Sequence, residues 1–389
     1  MKYPIGIQTF EKIREDGYVY VDKTDMIYSL AQEGKIYFLS RPRRFGKSLL
    51  ISTLENYFLG RKDLFEGLKI DALEKEWIEY PLFHIDFNDS DFTEDGVLEE
   101  VIDSYLSKWE AAYGIKKEYD SLGFRFCNIL AEAHRQTGRR AVVLVDEYDK
   151  PILDLLDHNI EIVFQGNRMT LEEHNKNILN GFYSTFKAAD SDLHFVFVTG
   201  VTMHSPVSMF NGFNQPEDIS LSRRYETLCG ITQKELEHYF SEPIRSMAEV
   251  YKCSIEEMKI RLAKQYGGYH FSDNPTSVYN PFSLLNALSN RRIQAYWFKT
   301  DMPTYLIRPL SRFKENQNKL TGRYYAPRAF DDYMADIERP LPIIYQSGFL
   351  TIKNYDRDMN TYLLDFPNNE VKEGLMSLET LIKNNLKQD

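Results

Sequence analysis

The stretch Ile36–Leu54, IYFLSRPRRFGKSLLISTL, decides how this chain is read. Ile36-Tyr37-Phe38-Leu39 is a short apolar run without a helical period, the signature of a buried strand. Farther on, Leu50, Leu54, Tyr57 and Phe58 recur at i, i+4, i+7 and i+8 and share one helical face. Between the two lies Arg41-Pro-Arg-Arg-Phe-Gly46-Lys47-Ser48. Strand, basic loop and a helix that opens with Gly-Lys-Ser is the order a phosphate-binding P-loop needs. Backbone amides and the helix N-terminus cradle phosphates, the lysine reaches the β/γ oxygens, and the hydroxyl ligates Mg²⁺. The consensus has glycine where this chain has Arg41. That glycine mainly relieves the turn, so the loop is expected to close without it. The candidate nucleotide contacts are Arg43, Arg44, Phe45, Gly46, Lys47, Ser48 and Leu49, with Ser48 also a candidate metal ligand. The competing reading is a basic loop ahead of an amphipathic helix.

A second signal is Ala141-Val-Val-Leu-Val145-Asp146-Glu147-Tyr148-Asp149-Lys150-Pro151. Its apolar run predicts a central strand buried on both faces. The run ends in adjacent acids at the carboxyl end of the strand, where open α/β sheets bind ligands. This is the form of a Walker B element. Asp146 is the expected anchor of the Mg²⁺ shell and Glu147 the expected general base for water. Asp149 and Lys150 are expected to serve locally, because Pro151 restricts Lys150 and starts a helix. Leu193–Gly200 is a third strand, ending in Thr199 and Gly200, where a polar sensor of the γ-phosphate is expected. A strand-capping Thr199 is the alternative.

Charge and composition narrow the class. A net charge of −11 argues against a chain that binds nucleic acid non-specifically over its whole surface. Cys127, Cys229 and Cys253 lie far apart with no C-x-x-C, which predicts reduced thiols in a cytoplasmic protein. No run approaches the length needed to span a membrane. The many aromatics (26 Tyr, 25 Phe) predict a large aromatic core.

Several smaller features complete the pattern. Tyr18–Val21 is expected to form a short strand, and Asp22-Lys-Thr24 to open a helix closed by Gly34. This N-terminal segment is expected either against a nucleotide base or as a strap over the core. Leu82–Phe87 is a strand on which His84 and Asp86 face one way. A metal role for them lacks a third nearby ligand, so a polar strand face is preferred. Residues 94–138 predict two helices broken near Gly114 and Gly123, residues 152–169 an irregular stretch, and residues 203–221 a long loop. Arg223 and Arg224 precede an expected strand, Tyr225–Leu228, and are candidates for phosphate sensing or for a surface ion pair. Thr170–Glu173, Thr232–Glu235 and Ser254–Glu257 read as helix starts, as does Asn280-Pro281. Gly348–Ile352 and Thr361–Leu364 predict a hairpin, followed by a polar helix over 370–389.

Taken together, Tyr20-Val-Asp-Lys-Thr24, Arg41–Leu49, Asp146–Pro151, Thr199-Gly-Val201, Tyr266-Gly-Gly-Tyr269, Tyr279–Ser283, Tyr345–Leu350 and Phe366–Val371 resemble a bacterial family of AAA-ATPase-like proteins. The matching pieces run in order through nearly the whole chain. The resemblance implies an α/β fold of the P-loop NTPase (ASCE/AAA-like) kind, a parallel sheet sandwiched by helices with the Walker B and sensor strands beside the P-loop strand. It also makes Arg41 ordinary for the family. The expected organisation is an ATPase domain over 1–230, a helical lid over 231–299 and a winged-helix-like domain over 300–389. The expected cofactors are ATP and Mg²⁺, with Lys47, Glu147 and Thr199 in catalysis and Ser48 and Asp146 on the metal. The expected activity is hydrolysis of ATP to ADP and phosphate as a regulatory switch, with a protein or DNA partner at the C-terminal region. One alternative is a nucleotide-gated binding module with little turnover. Another is the ATPase part of a nuclease, since relatives often carry a C-terminal PD-(D/E)XK-type domain, here expected to be absent. Glu370-Val-Lys372, with Asp358 or Asp365 upstream, offers only a superficial E-x-K because it follows a Pro-Asn-Asn turn.

Overall fold

The computed structural model describes residues 1–156, 158–203, 216–297, 304–315, 317–330 and 339–375. They form two compact units, one made of Lys23–Ser40 and Ile51–Ile219, the other of Met1–Asp22, Arg41–Leu50 and Ser220–Asp389.

The first unit is an α/β sandwich. Its strands are β1 (Ile36–Ser40), β2 (Leu82–Asp86), β3 (Ala141–Asp146), β4 (Glu161–Phe164), β5 (Asn167–Thr170), β6 (Leu193–Gly200) and β7 (Glu217–Asp218). Five of them form a parallel sheet in the order β2-β3-β6-β1-β7. Thus β6, the expected sensor strand, lies between β1 and β3. Every residue of β3 is buried, as its unbroken apolar run requires. Phe83, Ile85, Val143 and Val145 pack with Ile102, Leu106, Phe126 and Leu130 of the helices Val97–Tyr113 and Leu122–Thr137. Burying each such side chain stabilises the fold by roughly 1.5–3 kcal/mol. The Tyr37 ring lies against Phe195 and Phe197, and Phe58, at the end of the helix Lys47–Phe58, packs on Phe195 with centroids 4.8 Å apart.

Some expectations need correction here. Gly34 does follow a helix, Thr24–Glu33, but its backbone is extended rather than left-handed. It is small because a Cβ there would lie 2.1 Å from the Tyr37 hydroxyl. The two helices expected over 94–138 are Val97–Tyr113, closed by a left-handed Gly114, and Leu122–Thr137, capped by Ser121; Gly123 lies in the first turn of the second, where a Cβ would press on the Thr185 methyl. The supposedly irregular 152–169 contains the antiparallel hairpin β4–β5, turning at Gln165 and Gly166, both with positive φ. Of the long loop over 203–221, residues 204–215 lie outside the described residues, and β7 forms an edge strand in the remainder.

The second unit is mainly helical. Gln233–Tyr239, Ser241–Tyr251, Ile255–Tyr266 and Pro281–Asn290 surround a core that includes Leu236, Ile244, Met258, Leu262 and Leu284. Thr232 and Glu235 form a reciprocal capping box, and Ser254 and Asn280 cap the next helices through their side chains. The short strands β8 (Ile231–Thr232) and β9 (Val278–Tyr279) pair here, where no sheet signal was read. Tyr225–Leu228 forms turns rather than a strand. Tyr18 makes an isolated bridge to Lys2 in place of the expected strand, and Tyr3 stacks on Phe240, so this N-terminal segment packs on the helical core.

The expected hairpin is present as β11 (Thr351–Asp356) and β12 (Thr361–Asp365), with β10 (Arg323–Tyr325) added on the other edge of β12. A helix follows over 369–375; the rest of the expected terminal helix lies outside the described residues. Among the described residues no helix is long and apolar enough to cross a membrane.

The Gly267-Gly268 pair is where this unit is pinned. Asn368 donates to the Gly267 carbonyl at 2.8 Å, and the Lys353 ammonium bridges the carbonyls of Gly268 and Pro367 at 3.1 and 2.9 Å. Gly268 has φ of 78°, and a Cβ would sit 2.3 Å from the Pro367 oxygen. Gly268→Ala should therefore lower stability by about 3 kcal/mol, from left-handed strain plus displacement of a backbone carbonyl. Urea denaturation monitored by tyrosine and tryptophan fluorescence measures it, and a variant within 0.5 kcal/mol of the parent would contradict the packing argument.

Candidate functional site

The loop Arg41–Gly46 belongs to the helical unit. Arg41 is almost fully buried, and its guanidinium donates to the carbonyls of Ser220 at 2.8 Å and Tyr225 at 3.2 Å. It also lies 4.1 Å from the centre of the Phe271 ring. The left-handed residues of the loop are Arg44 (φ 68°) and Gly46 (φ 93°), not residue 41. The conformational freedom that the consensus assigns to its first glycine is thus not needed at that position, and a bracing side chain stands there instead.

Aromatic contacts fix the rest of the loop. Phe45 is buried edge-on against Tyr269 and Phe271, with centroids 4.8 and 5.3 Å away. That makes Phe45 a packing residue. Arg44 is exposed, with its guanidinium 5.0 Å from the Phe282 ring centre. The Lys47 ammonium turns back into the loop and donates to the Arg41 carbonyl at 3.0 Å. The helix opens where the Leu50 amide donates to the Gly46 carbonyl at 3.0 Å, so Lys47, Ser48 and Leu49 occupy its first turn. Gly46 is exposed and has no atom near the place of a Cβ. An inward lysine, an open glycine and a helix N-terminus together suit a phosphate chain.

Asp146, Glu147 and Thr199 belong to the sheet unit, at the carboxyl ends of adjacent strands. Asp146 is buried and accepts a 2.5 Å hydrogen bond from the Thr199 hydroxyl. Glu147 is also buried and holds a left-handed backbone, φ 51°, which costs a non-glycine residue about 1 kcal/mol. Such strain persists only where surrounding contacts over-determine it, and it concentrates at functional sites. Hard oxygen donors of this kind suit Mg²⁺.

Those surrounding contacts come from the two residues that follow, and sequence reasoning missed them. The Asp149 carboxylate accepts from the amides of Val201 and Thr202 and from the Thr202 hydroxyl, the last two at 2.6 Å. The Tyr148 amide donates to the Thr199 carbonyl at 2.9 Å, and its buried ring stands edge-on to Phe38. Asp149 is therefore not local: it ties the exit of β3 to the exit of β6. A Cβ on Gly200 would collide with Tyr148 and Asp149, which explains the glycine after Thr199. Lys150 is closer to expectation, pairing with Asp154 at i+4 while donating to the Ser90 carbonyl.

The remaining candidates resolve as follows. His84 pairs with Glu55 of the helix Lys47–Phe58 at 3.3 Å, and Asp86 accepts from the amide and side chain of Asn88. Among the described residues no group of three or more His, Cys, Asp or Glu side chains is placed to hold a metal ion. Arg223 forms an exposed ion pair with Asp273, and the Arg224 guanidinium lies over the ring of Tyr225. Glu370 lies on a helix rather than a strand, fully buried, accepting from the amides of Tyr296 and Trp297 at 2.6 and 3.0 Å. It is a structural cap, and burial pushes its carboxyl above the usual range.

Comparison with known proteins gives the following similarities. The family model described as "Predicted AAA-ATPase" matches residues 4–210. An uncharacterized protein in the vnfD 5′ region of Azotobacter chroococcum mcd 1 is 36% identical over 380 residues, which is 96% of this chain and 69% of that protein. Among solved structures, the Aeropyrum pernix Orc1 protein in complex with DNA aligns over 95% of each chain at 12% identity, with a TM-score of 0.30.

Two outcomes follow from the geometry. Arg41→Gly restores the consensus letter but removes two buried hydrogen bonds and a ring contact, so it should destabilise the protein by about 3 kcal/mol. Chemical denaturation tests this, and a neutral or stabilising effect would show that Arg41 braces nothing. The second concerns pH. Burial disfavours a charged His84, but the hydrogen bond and charge of Glu55, with the charges of Asp86 and Asp146, outweigh it and raise its pKa. The stabilisation is fully present below the ordinary imidazole value of about 6.5 and is lost as pH rises through the raised one. Melting temperature should fall over that interval in the parent and fall less in Glu55→Gln. Equal slopes would remove the pair from the account.

Proposed function

We propose, since the chain belongs to the AAA-ATPase-like family, that this ATP-binding protein hydrolyses Mg-ATP and uses the cycle as a regulatory switch. The observation that carries the proposal is the buried Asp146–Thr199 pair at the carboxyl ends of β3 and β6, with the left-handed Glu147 next in sequence.

The roles follow from donor chemistry. Lys47 and the first-turn amides of Lys47, Ser48 and Leu49 hold the phosphate chain, with the Gly46 backbone giving close approach. Arg43 and Arg44 supply further positive charge to the loop. Ser48 and Asp146 are the oxygen donors that would ligate Mg²⁺, which would offset charge on the phosphate oxygens. Thr199 holds the Asp146 carboxylate in one orientation. Glu147 accepts a proton from the attacking water, and its strained backbone fixes the direction of its carboxylate. Positioning and charge stabilisation of this kind supply most of the catalysis in phosphoryl transfer. We place the protein in the cytoplasm. Residues 231–299 act as the lid, since Tyr269, Phe271 and Phe282 already grip the loop. Residues 300–389 are the winged-helix-like part that meets a protein or DNA partner.

Calorimetry and single-turnover assays with purified chain test this reading. Lys47→Ala should lose nucleotide binding at least a hundredfold. Glu147→Gln should keep affinity within about threefold while hydrolysis falls at least a hundredfold. Full turnover by Glu147→Gln would remove Glu147 from catalysis. Tight binding by the parent without hydrolysis would leave a nucleotide-gated module in place of an ATPase.

A further inference from the structure

A cavity of about 360 Å³ lies in the sheet unit and plays no part in the reading above. Its walls come from the helix Thr24–Glu33, the end of the helix Lys47–Phe58, the segment leading into β2 and the start of β6. His194 lines it at the amino end of β6, whereas Thr199 stands at the carboxyl end. At a strand rise of about 3.3 Å per residue, roughly 17 Å separates the two. The cavity thus sits at the end of the sheet opposite Asp146 and Thr199, within the size range of small-ligand sites.

Its lining has a consistent chemistry. Tyr28, Tyr57, Tyr80 and His194 supply aromatic surface, and Tyr80 stacks on His194 with centroids 4.3 Å apart and planes 9° apart. Glu74 and Glu76 supply carboxylates. Glu74 is fixed in place: the Tyr57 hydroxyl donates to one oxygen at 2.6 Å, and the amides of Lys75 and Glu76 donate to the other at 2.7 and 2.8 Å. Burial alone would raise its pKa, but these hydrogen bonds win and hold it below the usual range, so it stays charged at neutral pH. Against the two carboxylates stands one lining ammonium, Lys75, so the lining keeps a net negative charge. The Lys75 ammonium donates to the Ala72 carbonyl at 2.7 Å. Burial, with Arg140 and Lys35 nearby, lowers the pKa of His194, so the imidazole is a neutral ring at neutral pH.

We infer that this cavity is a binding site for a guanidinium group, carried by a small molecule or by an arginine side chain of a peptide. The remaining acceptor capacity of Glu74 and the Glu76 carboxylate take the guanidinium N–H donors, and neutral aromatic rings take the planar cation face-on. An ammonium is more strongly hydrated and loses more on entering. A second nucleotide is excluded on charge, because its phosphates would meet Glu74 and Glu76. A neutral polar ligand would offer the carboxylates only uncharged donors, which make weaker hydrogen bonds than a cation does.

Isothermal titration of the full chain with N-acetyl-arginine amide tests the inference against its neutral isostere, N-acetyl-citrulline amide. Saturable binding of the arginine compound, at least tenfold tighter than the citrulline compound, is expected. Glu74→Gln should weaken it about tenfold. Because Glu74 also orders its own loop, Glu76→Gln, at an exposed position, is the second variant, with an expected loss of several-fold. Lys47→Ala should bind the arginine compound like the parent, which separates this site from the nucleotide reading. A Gly-Gly-Arg-Gly-Gly peptide that binds more tightly than the amide assigns the site to a peptide arginine; equal or weaker binding assigns it to a small molecule. Equal affinity for the arginine and citrulline compounds, no saturable heat, or unchanged affinity in both glutamate variants would overturn the inference.

Discussion

The geometry at the carboxyl ends of β3 and β6 depends on one buried carboxylate. Asp149 has left water almost completely, and its charge is tolerated because three donors from Val201 and Thr202 converge on it. Those donors come from the chain just beyond β6, while Asp149 comes from the chain just beyond β3. The carboxylate therefore does what no strand pairing does, fixing two loop exits relative to each other. Tyr148 fills the space beneath, its amide on the Thr199 carbonyl and its ring on Phe38. With the exits locked, Asp146 and Thr199 face each other at hydrogen-bond distance and Glu147 is held in a conformation it would otherwise leave. Each donor has a neighbour that depends on it, so such a network is worth more whole than as separate bonds.

The loop Arg41–Gly46 of the other unit shows the same principle with opposite charge. A buried cation, Arg41, is compensated by two backbone carbonyls and an aromatic face. A glycine at that position would give freedom to a loop whose left-handed residues lie elsewhere. Arginine gives it a fixed anchor instead. The abundance of aromatics then has a specific use, since Phe45, Tyr269 and Phe271 form a cluster from which the loop is suspended.

The strands β1, β3 and β6 were legible because a parallel strand covered on both faces must be an unbroken apolar run. Helix starts at Thr232, Ser254 and Asn280 were legible because a side chain replaces a missing backbone partner at a fixed spacing. What escaped reading was set by tertiary contact. Gly123 looks like a helix breaker, yet it is small to admit Thr185. Tyr225–Leu228 has the composition of a strand, but its Tyr225 carbonyl serves Arg41, far away in sequence. The β4–β5 hairpin carries few buried residues, so no alternation of polar and apolar positions announces it; only the Gln165-Gly166 turn does. Asp149 reads as local in the sequence because its partners lie more than fifty residues on, a distance at which spacing carries no information.

Segments remote from the loop Arg41–Gly46 in sequence are tied to it by contact within the same unit. Tyr269 and Phe271 flank His270, whose amide and carbonyl both bond the Thr351 hydroxyl at the start of β11. The preceding glycines are clamped by Asn368, by the Pro367 carbonyl through Lys353, and by the absence of room for a Cβ at Gly268. Phe45 rests on Tyr269 and Phe271, so the loop that carries Lys47 is connected by direct contact to the terminal hairpin. The Phe45, Tyr269 and Phe271 rings are buried, and the Thr351 hydroxyl holds both backbone groups of His270. A displacement of the hairpin cannot be absorbed along that path without breaking a hydrogen bond or moving an aromatic ring. Packed interiors respond to such demands by shifting between discrete arrangements rather than by bending. The loop and the hairpin, some three hundred residues apart in sequence, are thus joined by a run of direct contacts within their unit.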